Sequence, residues 1–150
     1  MKLPYLTACC KEAMRMIPSV GLTLPRIVPR GGRYIAGQWF DGGVRVGVNA
    51  AVIHFNKEVF GDDAEEFNPE RWFRANASRM DRYMFQFGGG SRTCIGKNIS
   101  LCEIHKLVPE VLRLYRFEMV DPAEELKTMN RWFNKPRHLD VVVKNRSADM

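Results

Sequence analysis

Phe87-Gly88-Gly89-Gly90-Ser91-Arg92-Thr93-Cys94-Ile95-Gly96 is the stretch on which the reading of this sequence turns. Three consecutive glycines let the backbone approach a flat or bulky partner and adopt positive φ. A helix is expected to begin here, so Cys94 stands where free N–H groups and the positive end of the helix dipole attract a thiolate. Arg92 adds a permanent cation whose planar fork grips carboxylates with two hydrogen bonds. Gly96 permits tight packing of the first helical turn. A thiolate in a glycine-rich loop beside an arginine suits either a nucleophile or a soft metal ligand. As a phosphate cradle the loop fails, because Lys97 is not followed by Ser or Thr.

Downstream of the loop, a helix is expected over about 95–115, with Ile99, Cys102, Leu107 and Val111 available for an apolar face. Pro109 lies inside it and should kink or divide it. Upstream, residues 61–94 show little periodicity and read as one irregular loop, a length that is usually functional when ordered. Further back, Arg33–Gly37 and Val44–Val48 alternate around Asp41-Gly42-Gly43, so a β-hairpin is expected over about 33–48. Residues 50–58 suit a short helix. Leu6, Cys9, Cys10, Ala13, Met14 and Ile17 recur at threes and fours, which predicts a helix over 4–16, stopped by Pro18. The alternation of 138–143 suits one strand. With no repeat and no linker, residues 1–150 read as one α+β domain or part of one, mainly helical with few strands.

Composition narrows the function. Of 150 residues, 45% are hydrophobic and 27% charged, which excludes collagenous, low-complexity and largely disordered chains. No run approaches the ~18 apolar residues of a membrane helix, and the N-terminus lacks the apolar region of a secretory signal. Residues 1–60 hold 8 basic and 3 acidic residues, and residues 61–150 hold 15 and 14. The excess is therefore N-terminal, but its arginines come singly and no nucleic-acid module is recognisable, so nucleic acid is not an expected partner. Cys9, Cys10, Cys94 and Cys102 form no disulfide framework, and Cys9, Cys10 and Cys102 are assigned to packing. His54, His105 and His138 are scattered, which supplies neither paired zinc ligands nor an evident base for a cysteine nucleophile.

The ten residues from Phe87 to Gly96 meet the pattern Phe-x-x-Gly-x-Arg-x-Cys-x-Gly in full, and so resemble the haem-binding signature of the cytochrome P450 family. Two more motifs stand upstream in the family's order. Glu12-Ala13-Met14-Arg15 resembles the Glu-x-x-Arg of its helix K, and Pro69-Glu70-Arg71-Trp72 resembles its Pro-Glu-Arg-Phe/Trp segment. The likeness is strongest to filamentous-fungal members, and it implies the C-terminal, proximal part of the family's fold. It also implies haem as cofactor, with Cys94 as the axial thiolate ligand of its iron, and Arg92 and Arg26 reaching the propionates. Phe87 would pack near the sulfur, and Gly96 completes the cofactor-binding set. Glu12, Arg15 and Arg71 would form a buried structural network that fixes the loop.

The activity implied is that of a haem-thiolate monooxygenase acting on a small organic substrate, with electrons from an NADPH-dependent reductase docked near Cys94 and Lys97. Trp132-Phe133 would line the pocket. The turn Trp39-Phe40-Asp41-Gly42-Gly43 departs from the family's usual Pro and Gly-Thr. No counterpart of the distal helix, the membrane anchor or most of the substrate pocket is recognisable in the sequence, so a non-catalytic truncated product that keeps the ligand loop is the alternative expectation. For a full-length relative, the resemblance points to the endoplasmic reticulum membrane.

Overall fold

The computed structural model describes residues 3–146. Helix α1 (Pro4–Met16) starts with proline at its first position, where a missing N–H costs nothing. Thr7 donates to the Leu3 carbonyl from both its N–H and its hydroxyl. Its buried residues are Ala8, Glu12 and Arg15, four and three apart on one face. The expected apolar stripe is therefore not the buried one; Ala13 is exposed and Cys9 and Cys10 are half-buried. Pro18 follows directly and is buried, as expected of a helix stop.

Two small ribbons come next, and they correct the expected hairpin. Strand β2 (Arg33–Ile35) pairs with β3 (Gln38–Phe40), while β1 (Arg26–Ile27) pairs with β4 (Arg45–Val46), all antiparallel. The tight turn is Ala36-Gly37, with φ of 48° and 82°. Positive φ at both central residues gives the turn twist that suits a two-residue hairpin, so it takes the reversal from Asp41-Gly42-Gly43. The latter only returns the chain to β1, through Gly43 N–H donating to the Val28 carbonyl at 2.9 Å.

The short helix expected over 50–58 is two single turns, α2 (Ala50–Ile53) and α3 (Lys57–Phe60). Each begins at an asparagine, Asn49 and Asn56, whose side chain accepts an N–H of the first turn at 2.9 and 2.8 Å. Residues 61–94 are less irregular than expected. They include a 3₁₀ turn over Pro69–Phe73 capped by Asn68, the helix α4 (Ala77–Asp81) and a second 3₁₀ turn over Gly90–Arg92. These elements are too short for a periodicity of 3.6 to register. The apolar core sits here: Val59, Phe60, Ala64 and Met80, with Trp72 and Tyr83 packed against it.

Helix α5 (Lys97–Leu114) runs through Pro109 without division. The lost N–H removes one rung, and the rest of the ladder carries the helix on. None of its residues is fully buried; Ile99 and Leu107 are 66% and 63% exposed, and Cys102 is exposed rather than packed. Strand β5 (Tyr115–Met119) then pairs with β8 (Val141–Asn145), and β6 (Lys127–Asn130) with β7 (Asn134–Arg137). The tail thus adds four strands where one is expected. Among the described residues, no helix is long and apolar enough to cross a membrane.

Candidate functional site

Glu12, Arg15 and Arg71 have no solvent exposure. Oε1 of Glu12 accepts from Arg15 Nη2 at 2.9 Å, Arg71 Nε at 2.9 Å and the Asn68 N–H at 3.0 Å. Oε2 accepts from Arg15 Nε at 3.1 Å and Trp72 Nε1 at 3.0 Å. Burial by itself would raise this carboxyl. The hydrogen bonds from Arg15, Asn68 and Arg71 outweigh it and hold the group below the usual carboxylate range. The remaining guanidinium donors go to carbonyls: Arg15 to His54, Ala64 and Glu66, and Arg71 to Phe60, Asp63 and Glu66. Asp63 closes the cluster, taking Arg71 Nη1 at 3.1 Å and Arg74 Nη2 at 2.8 Å. The hydrogen bond from Arg74 leads in holding its carboxyl far below its ordinary value.

Trp72 closes the Pro69–Trp72 motif, whereas Asn68, Asp63 and His54 are members of this cluster that the motifs do not name. Asn68 carries a signal, since it precedes Pro69 as the cap of a turn. His54 carries none. Its ring is buried, with Nδ1 2.9 Å from the Arg15 carbonyl oxygen and Nε2 2.8 Å from the Phe85 nitrogen.

Phe85 opens the cysteine loop. Its carbonyl accepts the Gly88 N–H, and the Phe87 carbonyl accepts the Cys94 N–H, both at 2.8 Å. Gly88 and Gly90 have φ of 72° and 64°, a region side chains resist, and this winds the loop tightly enough for that closure. Cys94 is exposed and lies two residues before Gly96, the residue that caps α5; the Lys97 N–H donates to the Cys94 carbonyl at 3.3 Å. A Cβ on Gly96 would lie 3.8 Å from the Cys94 sulfur, an ordinary contact, so space at that point does not demand glycine. The Arg92 side chain is exposed, and the Lys97 ammonium lies 6.0 Å from the half-buried Phe87 ring.

Beside the loop is a cleft of about 630 Å³ whose lining includes Arg26, Phe40, Val48, Phe85 and Gly88–Gly90. The structure thus brings Arg26 and the three glycines to one cleft, while Cys94, Arg92, Phe87 and Gly96 stand outside its lining. Among the described residues Arg26 itself reaches only its own loop carbonyls, Leu24 at 3.4 Å and Pro25 at 3.2 Å. Trp132 and Phe133 line a separate cleft within their own hairpin, with Met129 and Arg137, and not the one beside Arg26. Among the described residues no three His, Cys, Asp or Glu side chains cluster as a metal site.

The family model described as Cytochrome P450 matches residues 1–143. The chain belongs to the cytochrome P450 family. It is 43% identical over 148 residues to the cytochrome P450 monooxygenase cicH of Emericella nidulans, covering 97% of this chain and 30% of that protein. Pisatin demethylase of Fusarium vanettenii is 44% identical over 144 residues, 96% of this chain and 28% of the relative. The cytochrome P450 monooxygenase gsfF of Penicillium aethiopicum is also 44% identical over 144 residues, 95% and 29%. The expected likeness to fungal members is met. This P450 chain spans about 30% of the length of those curated relatives.

Membership implies a haem group, and the donor set suits one. A haem needs one soft axial ligand and cations for two carboxylates, rather than a cage of three or more ligands. The exposed Cys94 thiol is a donor of that soft kind. Arg92 has no hydrogen bond or ion pair within the described residues, and so keeps its donors for an incoming carboxylate.

Proposed function

We propose that this chain is the haem-ligand part of a monooxygenase, with Cys94 as axial thiolate. The observation that carries the reading is the loop itself: an exposed cysteine, its N–H closed onto Phe87, beside an arginine without a partner among the described residues. Bound there, the group would supply O2 activation, with thiolate donation favouring O–O cleavage. One oxygen atom would enter a small organic substrate and the other leave as water, using two electrons and two protons.

The chain's own residues hold and orient. Cys94 donates its sulfur, and the Gly88–Gly90 backbone, free of side chains, allows a flat ring to come close. Arg92, and Arg26 from the β1 edge, bind carboxylates. Phe87, half-buried under Lys97, keeps one side of the sulfur apolar, which limits water there. Gly96 caps α5 two residues beyond the ligand and belongs to the cofactor-binding set by its place in the loop. The electrons would come from an NADPH-dependent reductase, and Lys97 with the basic excess of residues 1–60 supplies attraction to an acidic partner face. By family resemblance, a full-length relative would sit at the endoplasmic reticulum membrane. Ile95, fully exposed, and the bare Ile99 and Leu107 on α5 support a chain that works packed against further protein.

Hemin titration of the chain, followed by reduction under carbon monoxide, tests this. The wild type should show the red-shifted Soret band of thiolate ligation. Cys94→Ala should lose that band and Cys102→Ala keep it. An unchanged band in the Cys94 variant overturns the assignment.

A further inference from the structure

His54 is fully buried, belongs to no motif, and bridges two segments that the family signature treats separately. It caps the end of α2, and its exchange with Arg15 is reciprocal. The Arg15 guanidinium donates to the His54 carbonyl at 2.7 Å, while the His54 ring meets the Arg15 carbonyl at 2.9 Å. That carbonyl is in the last turn of α1, where the helix offers no N–H partner. On the ring's far side the Phe85 N–H, which can only donate, points at Nε2. Nε2 must therefore be the bare nitrogen, and Nδ1 carries the proton and donates to Arg15.

We infer that His54, as the neutral Nδ1–H tautomer, is a positioning residue for the cysteine loop: it transmits the position of the Glu12–Arg15–Arg71 network to Phe85. From Phe85 the same chain of hydrogen bonds runs on to Gly88, and from Phe87 to Cys94. Among the described residues the bond to Phe85 is the one hydrogen bond from the ring to the loop, so the role rests on Nε2 accepting. The inference rests on the proposed role of Cys94 only for its effect on ligation; the tie itself exists without haem.

Asparagine and glutamine separate the two ends of the ring. Asparagine places an amide near Nδ1 and loses the acceptor for Phe85, whereas glutamine reaches the Nε2 position and keeps it. In the haem-free chain, hydrogen exchange of the Phe85 amide should be about tenfold faster in His54→Asn than in wild type, and near wild type in His54→Gln. After hemin loading, His54→Asn should lower the fraction of the carbon-monoxide complex with the thiolate band, and His54→Gln restore it. Equal behaviour of the two variants in both readouts overturns the inference. In the unmodified chain, long-range nitrogen–proton correlation spectra should show the Nδ1–H tautomer, and an Nε2–H tautomer also overturns it. If Cys94→Ala kept the thiolate band while the Phe85 exchange followed this pattern, the ligand assignment would fall and the tie would stand.

Discussion

Glu12→Gln tests the buried network with almost no change of shape. Five donors converge on the two carboxylate oxygens, three on Oε1 and two on Oε2. An amide keeps one acceptor and turns the other oxygen into a donor. In its cheaper orientation the new NH2 replaces Oε2 and faces Arg15 Nε and Trp72 Nε1, two donors that then have nothing to accept them. Each buried donor left unsatisfied costs about 1–3 kcal/mol. The loss of charge between two guanidiniums points to the same range, since breaking a buried pair costs about 3–5 kcal/mol. Asp63 still pairs with Arg71 at 3.1 Å and relieves part of this, so the expected loss is about 3 kcal/mol. Urea unfolding followed by circular dichroism should show a lower midpoint at unchanged slope. The melting temperature should fall by about 6–12 °C. A loss below about 1 kcal/mol, the scale of exposed pairs, would refute the buried reading.

Arg71→Ala should lower both folded yield and hemin retention although Arg71 lies outside the loop; wild-type haem content and melting temperature would contradict that. Glu110→Ala removes an ion pair whose side chains are 54% and 67% exposed, and the melting temperature should not move measurably; a clear drop would show that α5 is held by its surface charges. Stability should rise with pH from about 4 to 7 and then level off. Glu12 and Asp63 titrate below their unfolded values, so the unfolded chain binds more protons as pH falls through about 4 and the folded state loses stability. Burial leads in lowering His54, so it too binds its proton more readily unfolded, and its contribution is present above about 6.5 and lost as pH falls below that. Urea midpoints at about pH 3.5 and at pH 5, 6 and 7 read both parts, and His54→Gln should flatten the upper one; a wild type with no slope between pH 5 and 7 would contradict the His54 part.

The motif residues were legible because their chemistry is tied to fixed spacing. Glu12 and Arg15, three apart, had to share a helix face, and Cys94 had to follow its glycines. The long helices were legible because a period of 3.6 needs several turns to register. The hairpin went astray because Asp41-Gly42-Gly43 is the stronger turn signal, yet Ala36 accepts positive φ and closes the ribbon. Nor does any local pattern mark His54 or Asp63. The ring of His54 meets partners 31 and 39 residues away, and Asp63 meets its neighbours Asn68, Arg71 and Arg74 through a loop that has no periodicity. On α5 the apolar periodicity says which residues seek cover, and not whether this chain covers them, so Cys102, expected to pack, is exposed.

Arg15, Arg71, His54 and Glu12 rank among the largest fully buried side chains, whereas the apolar cluster holds only Val59, Phe60, Ala64 and Met80 at its centre. Buried ion pairs add little net stability, because desolvation offsets much of their attraction. What these two guanidiniums supply is hydrogen-bond partners. Five carbonyls, of His54, Phe60, Asp63, Ala64 and Glu66, point at them from chain that joins no sheet and lies outside the long helices. Apolar side chains of equal volume would fill the same space and leave those five acceptors unpaired, at about 1–3 kcal/mol each. The irregular segment therefore depends on Arg15 and Arg71 as a strand depends on its ladder. That dependence explains how residues 61–94, with so little periodicity of their own, hold the cysteine loop in one place.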